Sequence, residues 1–109
     1  MSKSEKMLEA YKNMLNEVKE VEQTILSLPR GYISTKTISG HTYHYLQWRE
    51  GNRVLSSYVN DALLAIIQQK IVIRKANEEL LKILKKDLQK MEKALLIAGV
   101  KEEEIQALK

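Results

Sequence analysis

The chain has 109 residues, 44% of them hydrophobic, and a formal net charge of +4 at pH 7. That length suits one folded domain, and the absence of cysteine excludes disulfides, thiolate metal sites and a cysteine nucleophile. The longest apolar run, residues 62–67, is far shorter than the roughly 20 residues of a membrane span, and no apolar secretory segment is recognisable, so we expect a cytoplasmic protein outside membranes.

The first predicted element is a helix over residues 3–28, with Ser4 as its expected N-cap and Pro29 as its stop. Its apolar residues recur at alternating steps of four and three. They are Met7, Tyr11, Met14, Val18, Val21, Ile25 and Leu28. A seam of this kind packs either against another helix of the same chain or against a second protomer.

A three-stranded antiparallel β-meander is predicted over residues 32–59, where β-branched and aromatic residues dominate. The dipeptides Ser39-Gly40 and Gly51-Asn52 divide this segment at the spacing of tight hairpins. A glycine in the first central position suits a type II′ turn, which is the case in the second hairpin. With two-residue turns, Ile38 pairs with His41, and Glu50 pairs with Arg53.

Strand alternation sorts the side chains of this sheet onto two faces. The face that carries Trp48 and most of the aliphatic residues is expected to join the core. Its members are Ile33, Thr35, Thr37, Thr42, His44, Leu46, Trp48, Glu50, Arg53, Leu55, Ser57 and Val59. We name the other one the tyrosine face. It comprises Tyr32, Ser34, Lys36, Ile38, His41, Tyr43, Tyr45, Gln47, Arg49, Val54, Ser56 and Tyr58.

The second long helix is predicted over residues 61–98, from an Asn60 N-cap to Gly99. It is either continuous, with its apolar side rotated midway, or broken near Asn77. If it runs antiparallel to the first helix, we expect the first helix to end beside about residue 85. The apolar residues from 84 to 98 would then need a cover from a second protomer or from a short last helix over residues 101–108.

These elements predict an α+β fold, with a three-stranded antiparallel β-meander between two long helices. The helices are expected to form an antiparallel hairpin like a coiled coil within a single domain. The seam between the helices also makes a homo-oligomer an expected state of the protein.

Nothing in the sequence predicts catalysis or a bound metal or cofactor. His41 and His44 are three residues apart on one strand, so they lie on opposite faces and cannot easily share a metal ion. The sequence has no Gly-rich phosphate loop, no nucleophile elbow and no Ser/His/Asp arrangement. We therefore expect a protein that is not an enzyme.

The tyrosine face is the strongest candidate site, because aromatic rings stack on bases while neighbouring cations hold phosphates. Alternatively, Gln47 and Arg49 could contact base edges if the sheet entered a major groove, or the face could pack on a helix of its own chain. A lysine stripe on the second helix is either a solvated surface or a second phosphate-binding surface. The candidate residues are Tyr32, Lys36, His41, Tyr43, Tyr45, Gln47, Arg49, Tyr58, Lys82, Lys86, Lys90 and Lys93.

Residues 31–40 (GYISTKTISG) and 43–49 (YHYLQWR) resemble a hairpin in small uncharacterised bacterial and mobile-element proteins, in which charged helices also flank the hairpin. That resemblance implies no activity. The meander with its following helix resembles, in architecture, the arm-binding domain of phage integrases, which lacks a long leading helix. This second resemblance implies a sheet that enters the DNA major groove.

Three functions therefore follow as hypotheses. The first is a nucleic-acid-binding or regulatory module that uses the tyrosine face and the lysine stripe. The second is a small inhibitor or adaptor that grips a nucleic-acid-processing protein, as phage anti-CRISPR proteins do. The third is a coiled-coil scaffold for self-association. We favour the first, although tyrosine is also common at protein interfaces and the tyrosine face does not by itself select nucleic acid over protein.

Overall fold

The computed structural model describes residues 2–109 and contains three helices and one sheet, in the order α1, β1, β2, β3, α2, α3. The predicted α+β class is confirmed, since a three-stranded antiparallel sheet lies between the two long helices in the chain. The bounds are α1 Lys3–Leu26, β1 Tyr32–Ile38, β2 His41–Glu50, β3 Arg53–Val59, α2 Asp61–Ile97 and α3 Glu102–Leu108. None of the helices within residues 2–109 combines the length and the apolar character that a membrane crossing needs.

Local chemistry explains where the helices begin and end. Ser2, rather than Ser4, caps α1, because its hydroxyl accepts a hydrogen bond from the Glu5 amide at 3.2 Å. Asn60 caps α2 as predicted, with its Oδ1 2.9 Å from the Ala62 amide nitrogen. The C-terminal end of α2 is closed by bonds from the Gly99 and Val100 amides to the carbonyls of residues 96 and 95, the pattern of a Schellman motif.

The helix α2 is continuous, so the first of the two predicted alternatives is confirmed and the break near Asn77 does not occur. Its apolar side rotates instead. In residues 61–76 the side chain of Ile71 is buried, while in residues 77–97 those of Leu84 and Leu95 are buried. A continuous helix can bury different sides in its two halves, because its side chains project all around the axis at 3.6 residues per turn.

The chain divides into two compact units. One is helical and consists of the residues up to Ile25 together with Asn77–Lys109. The other, Leu26–Ala76, contains the whole sheet.

The helical unit has two well-packed clusters. In the first, Val18, Val21 and Ile25 of α1 pack with Leu84 of α2. In the second, Tyr11 and Leu95 are fully buried with Val100 and Ile105, which belong to the tail of the chain. The two long helices therefore run antiparallel, and the predicted seam of α1 is largely its buried side.

The predicted alignment of the two helices was wrong. The side of α2 between Leu84 and Leu95 does have a partner within the chain, because α1 packs along it and the tail folds back over its end. The sequence argument placed α1 beside the first half of α2, whereas it packs beside the second half. The uncovered seam that motivated a homo-oligomer is thus occupied by the protein itself.

A hydrogen-bonded group tethers the tail within the helical unit. The hydroxyl of Tyr11 donates to Oε1 of Glu92 at 2.6 Å, and the Lys109 ammonium lies 2.9 Å from the same oxygen. Burial, with help from the neighbouring carboxylate, raises the pKa of Tyr11, so its hydroxyl keeps the proton that it donates. The hydrogen bond from Tyr11, and then the contact with Lys109, lowers the pKa of Glu92.

In the sheet unit, the register agrees with the prediction. Ile38 pairs with His41, Tyr45 with Tyr58, and Glu50 with Arg53. In the first turn Ser39 has φ 51° and Gly40 has φ 80°, so both central residues are left-handed, as in a type I′ turn.

The core of the sheet unit is thin. Among residues 26–76 the buried apolar side chains are Val59 and Ile71. Trp48 and Leu46 of the predicted core face are only half-buried, and the threonines near the first turn are exposed. The expectation that this whole face would join the core was therefore correct only around Val59.

Gly31 offers a direct test of the start of the sheet. It has φ 100°, and a Cβ placed there would overlap the carbonyl oxygen of Gln47 on the neighbouring strand. We expect Gly31→Ala to lower the free energy of unfolding by about 3 kcal/mol or more, since it adds a steric clash to an unfavourable φ. Urea unfolding followed by circular dichroism measures this change.

The matched control is Gly40→Ala, which has a similar positive φ but open space around the new methyl group. Gly40→Ala should lower the free energy of unfolding by only about 1–2 kcal/mol, because a non-glycine residue in the left-handed conformation is the only unfavourable change. Equal losses for the two variants would contradict the close approach of β2 to Gly31.

The tether at Glu92 predicts a dependence on pH. Because the folded protein lowers the pKa of this carboxyl, its contribution is present above the unfolded value of 4.5 and is lost as the pH falls through the folded value. We expect Glu92→Gln to reduce stability by about 1–2 kcal/mol at pH 7, and the difference from wild type to shrink as the pH falls below 4.5. Urea titrations at a series of pH values measure the difference.

Glu79→Gln is the control for that series. Glu79 pairs with Lys82 on an exposed surface, at 3.1 Å, where an ion pair adds little. Its substitution should leave stability nearly unchanged at every pH. An effect as large as that of Glu92→Gln would show that the hydrogen bonds of Glu92 have no special role in stability.

Candidate functional site

The tyrosine face exists as the register requires. Lys36 of β1, Tyr45 of β2 and Tyr58 of β3 lie on three adjacent strands with their side chains on one side. Tyr45 and Tyr58 are direct cross-strand partners, as are Lys36 and Tyr43. The sequence prediction therefore located eight of the candidate residues on one surface, namely Tyr32, Lys36, His41, Tyr43, Tyr45, Gln47, Arg49 and Tyr58.

This face is open to solvent. Tyr32 is 56% exposed and Tyr58 is 57% exposed, while Tyr43 and Tyr45 on the central strand are half-buried. Lys36, His41 and Arg49 are exposed. Of the two alternatives that the sequence left open, burial of the tyrosine rings under a helix is thus excluded for Tyr32 and Tyr58.

The aromatic side chains hold one another in place through cross-strand contacts. The rings of Tyr45 and Tyr58 meet edge to face, with centroids 5.9 Å apart and planes at 74°. The Lys36 ammonium lies 5.3 Å from the centre of the Tyr45 ring, within the range of a cation–π contact. The hydroxyl of Tyr32 donates to Oε1 of Gln47 at 2.7 Å, which fixes the orientation of that amide.

The charges of the sheet are sorted between its faces. The only acidic residue among residues 32–59 is Glu50, and it belongs to the opposite face. There its carboxylate contacts the Arg30 guanidinium at 3.2 Å and accepts a hydrogen bond from the Trp48 indole at 3.3 Å. The tyrosine face consequently carries Lys36 and Arg49 with no carboxylate among its twelve residues.

Sequence reasoning did not foresee the contact of Arg30 with Glu50. Arg30 lies just before β1, outside the predicted strands, so strand alternation gave no reason to place it near Glu50. One signal for this contact was available. Since Tyr32 pairs with Gln47, the residues just before Tyr32 must lie near Trp48 on β2, and Arg30 is one of them.

The opposite face has a shallow depression of about 350 Å³. It is lined by Leu46, Trp48, Arg30, Arg74, Leu26 at the end of α1, and Leu28 and Pro29 of the loop before β1. Both arginines make contacts within the chain there. Arg30 pairs with Glu50, and the Arg74 guanidinium donates to the Leu28 carbonyl at 2.6 Å. Their contacts make this depression a weaker candidate for binding an anion than the tyrosine face.

The two histidines lie on opposite faces, as the spacing predicted. His41 is exposed beside the first turn, while Nδ1 of His44 is 3.1 Å from the Thr35 hydroxyl on the other face. Within residues 2–109 there is no group of three or more His, Cys, Asp or Glu side chains placed to hold a metal ion.

The lysine stripe belongs to the helical unit and forms a surface of its own. Lys82, Lys86, Lys90 and Lys93 are all exposed on α2. Lys82 is paired with Glu79 one turn earlier. A row of solvated lysines is common on long helices, so its exposure alone does not distinguish a binding surface from an ordinary one.

A family described as a domain of unknown function (DUF6788) matches residues 6–69, more than half of the chain. The chain belongs to this family. The DUF6788 segment includes every residue of the tyrosine face and stops before the lysine stripe, so the sheet is a feature of the matched region and the stripe is not. No curated protein and no solved structure matches the chain.

The exposure of the tyrosine face predicts that its rings contribute little to folding. We expect the double variant Tyr45→Ala with Tyr58→Ala to lose about 1 kcal/mol, a fall in melting temperature of about 4–8 °C. By contrast, Tyr11→Ala removes a fully buried ring and should cost about 3–5 kcal/mol. Differential scanning calorimetry compares the two, and a collapse of the double variant would show that its pair is core.

Proposed function

We propose that this protein is a non-enzymatic nucleic-acid-binding protein whose binding surface is the tyrosine face. The observation that supports the proposal most is the combination of open aromatic rings with cations and no carboxylate on one face of the sheet. Polyanions are attracted to such a surface because the only acidic side chain of residues 32–59, Glu50, is on the other face and contacts Arg30.

Each group on the face has a role that suits a nucleotide. Lys36 and Arg49 supply charge for phosphate oxygens, and the guanidinium of Arg49 offers two parallel donors to one phosphate. The tyrosine rings supply apolar area and a hydroxyl at little cost in side-chain entropy. Gln47 accepts from Tyr32 through its oxygen, which directs its amide donors elsewhere.

The lysine stripe is proposed as a second, weaker phosphate-contacting surface. Its support is the exposure of Lys86, Lys90 and Lys93 along one side of α2. The pairing of Lys82 with Glu79 reduces what that lysine adds. A cytoplasmic location suits the proposal, since a chain without cysteine needs no oxidising compartment.

A second candidate function is that of an adaptor or inhibitor that binds a nucleic-acid-processing protein. It is favoured by Ile38 and Val54, two apolar side chains of the tyrosine face that are more than half exposed. Tyrosine is also common at the centre of protein interfaces. Self-association through the seam between α1 and α2 has no comparable support, because that seam is filled within the chain.

Two arginines near the second turn provide a matched test. Arg49 and Arg53 are both exposed, but Arg49 is on the tyrosine face and Arg53 on the opposite face. We expect Arg49→Ala to weaken binding of labelled DNA and RNA probes about three- to tenfold, because one phosphate contact is lost. Fluorescence anisotropy measures the affinity, and the slope of log K against log salt should become shallower by about 0.7–0.9.

Arg53→Ala removes the same charge from the same sheet and should change affinity less than about twofold. Equal effects of the two substitutions would mean that net charge, and not the tyrosine face, attracts the probe. If no probe binds to the wild-type protein, the proposal fails. Saturable binding of a purified nuclease or polymerase, lost in Arg49→Ala and kept in Arg53→Ala, would then favour the adaptor.

A further inference from the structure

The tyrosine rings are not equally available for stacking. Tyr45 is flanked on both sides, by the Lys36 ammonium from β1 and by the Tyr58 ring from β3. Tyr58 has no strand beyond it, since β3 is an edge strand, and more than half of its surface is exposed. Tyr45 therefore supports its neighbours, while Tyr58 presents aromatic surface to the solvent.

A second exposed ring lies at the other edge of the sheet. Tyr32 begins β1, the opposite edge strand, and is exposed to nearly the same extent. Its hydroxyl donates to Oε1 of Gln47 on the neighbouring strand. Two exposed rings at the two edges give the face two places at which a planar group can lie.

The number of charges on the face limits what it binds tightly. Proteins that hold a duplex mainly through its backbone contact roughly six to ten phosphates, whereas this face has Lys36 and Arg49 as its permanent cations. Contacts to the phosphates alone are then too few, and much of the affinity has to come from the aromatic rings. The bases of a duplex are already stacked on one another, so only unpaired bases have a face free for a tyrosine ring.

We infer that the ligand of the tyrosine face is an unpaired segment of nucleic acid, with bases stacked on Tyr58 and Tyr32 and neighbouring phosphates near Lys36 and Arg49, which flank the two rings in the strand register. This inference rests on the proposed function and narrows its ligand from nucleic acid in general to single strands. The shared chemistry of the ligand is an unstacked base next to a phosphate, which both RNA and DNA provide.

The test compares three labelled probes with the full-length protein by fluorescence anisotropy at low salt. They are oligothymidylate and oligouridylate of about twelve nucleotides, and a duplex of the same length. We expect at least one of the single strands to bind at least tenfold more tightly than the duplex. The order of oligothymidylate and oligouridylate tells whether the site prefers DNA or RNA.

Two substitutions at one position separate stacking from other effects of Tyr58. Tyr58→Phe keeps the ring and should leave single-strand affinity within about twofold of wild type. Tyr58→Leu keeps apolar bulk but removes the ring, and should weaken single-strand affinity at least fivefold. Calorimetry on both variants is the folding control. Their melting temperatures should agree within a few degrees, because the exposed position tolerates either side chain.

The outcomes distinguish the inference from the function on which it rests. Suppose that the duplex binds more tightly than the single strands and that Arg49→Ala still weakens binding. Nucleic-acid binding would then stand, and the single-strand inference would be overturned. Equal single-strand affinities of Tyr58→Phe and Tyr58→Leu would also overturn it, since the ring would then be dispensable. If neither strands nor duplex bind, both the inference and the proposed function fail.

Discussion

The cross-strand register of the sheet is the constraint on which the candidate site depends. The turns at Ser39-Gly40 and Gly51-Asn52 leave no extra residue, so Tyr45 is brought directly opposite Tyr58. Because side chains alternate with a period of two, a slip by one residue would move Tyr43 and Tyr45 to the opposite face. The same slip would bring Glu50 onto the face that carries Lys36 and move Arg49 off it, so the shape and the charge of the surface have a common origin.

The two compact units differ in what they bury. The helical unit encloses a tyrosine, Tyr11, and secures its tail through Glu92 and Lys109. The sheet unit buries Val59 and Ile71 and leaves Tyr32 and Tyr58 more than half exposed. A three-stranded sheet gains little stability by itself, and apolar and aromatic area left exposed on a small unit is typical of a surface that meets a partner.

The placement of a single carboxylate decides the electrostatic character of the tyrosine face. Glu50 is the only acid in the sheet, and strand alternation places it on the other side, where it contacts Arg30 and Trp48. Lys36 also lies close to the Tyr45 ring, where a cation is favoured by the ring's electron-rich face. Charge and aromatic surface are therefore combined in a way that suits the chemistry of a nucleotide, with phosphate and base side by side.

The sequence by itself determined the local elements and the faces of the sheet. The glycine-containing turns have few alternatives, strand alternation follows from backbone geometry, and the seam of α1 follows from 3.6 residues per turn. These are properties of neighbouring residues, which explains why the caps at Asn60 and Gly99 and the register of the strands were predicted correctly.

Only the tertiary structure decided which surfaces meet. The pairing of α1 with the second half of α2, the return of Val100 and Ile105 onto Tyr11, and the contact of Arg30 with Glu50 join distant segments. Periodicity shows that a helix has an apolar side but does not give its longitudinal position along a partner, because similar leucine-rich steps recur along α2. The exposure of the tyrosine face was undecided for the same reason, since residues that can line a core can equally line an open surface.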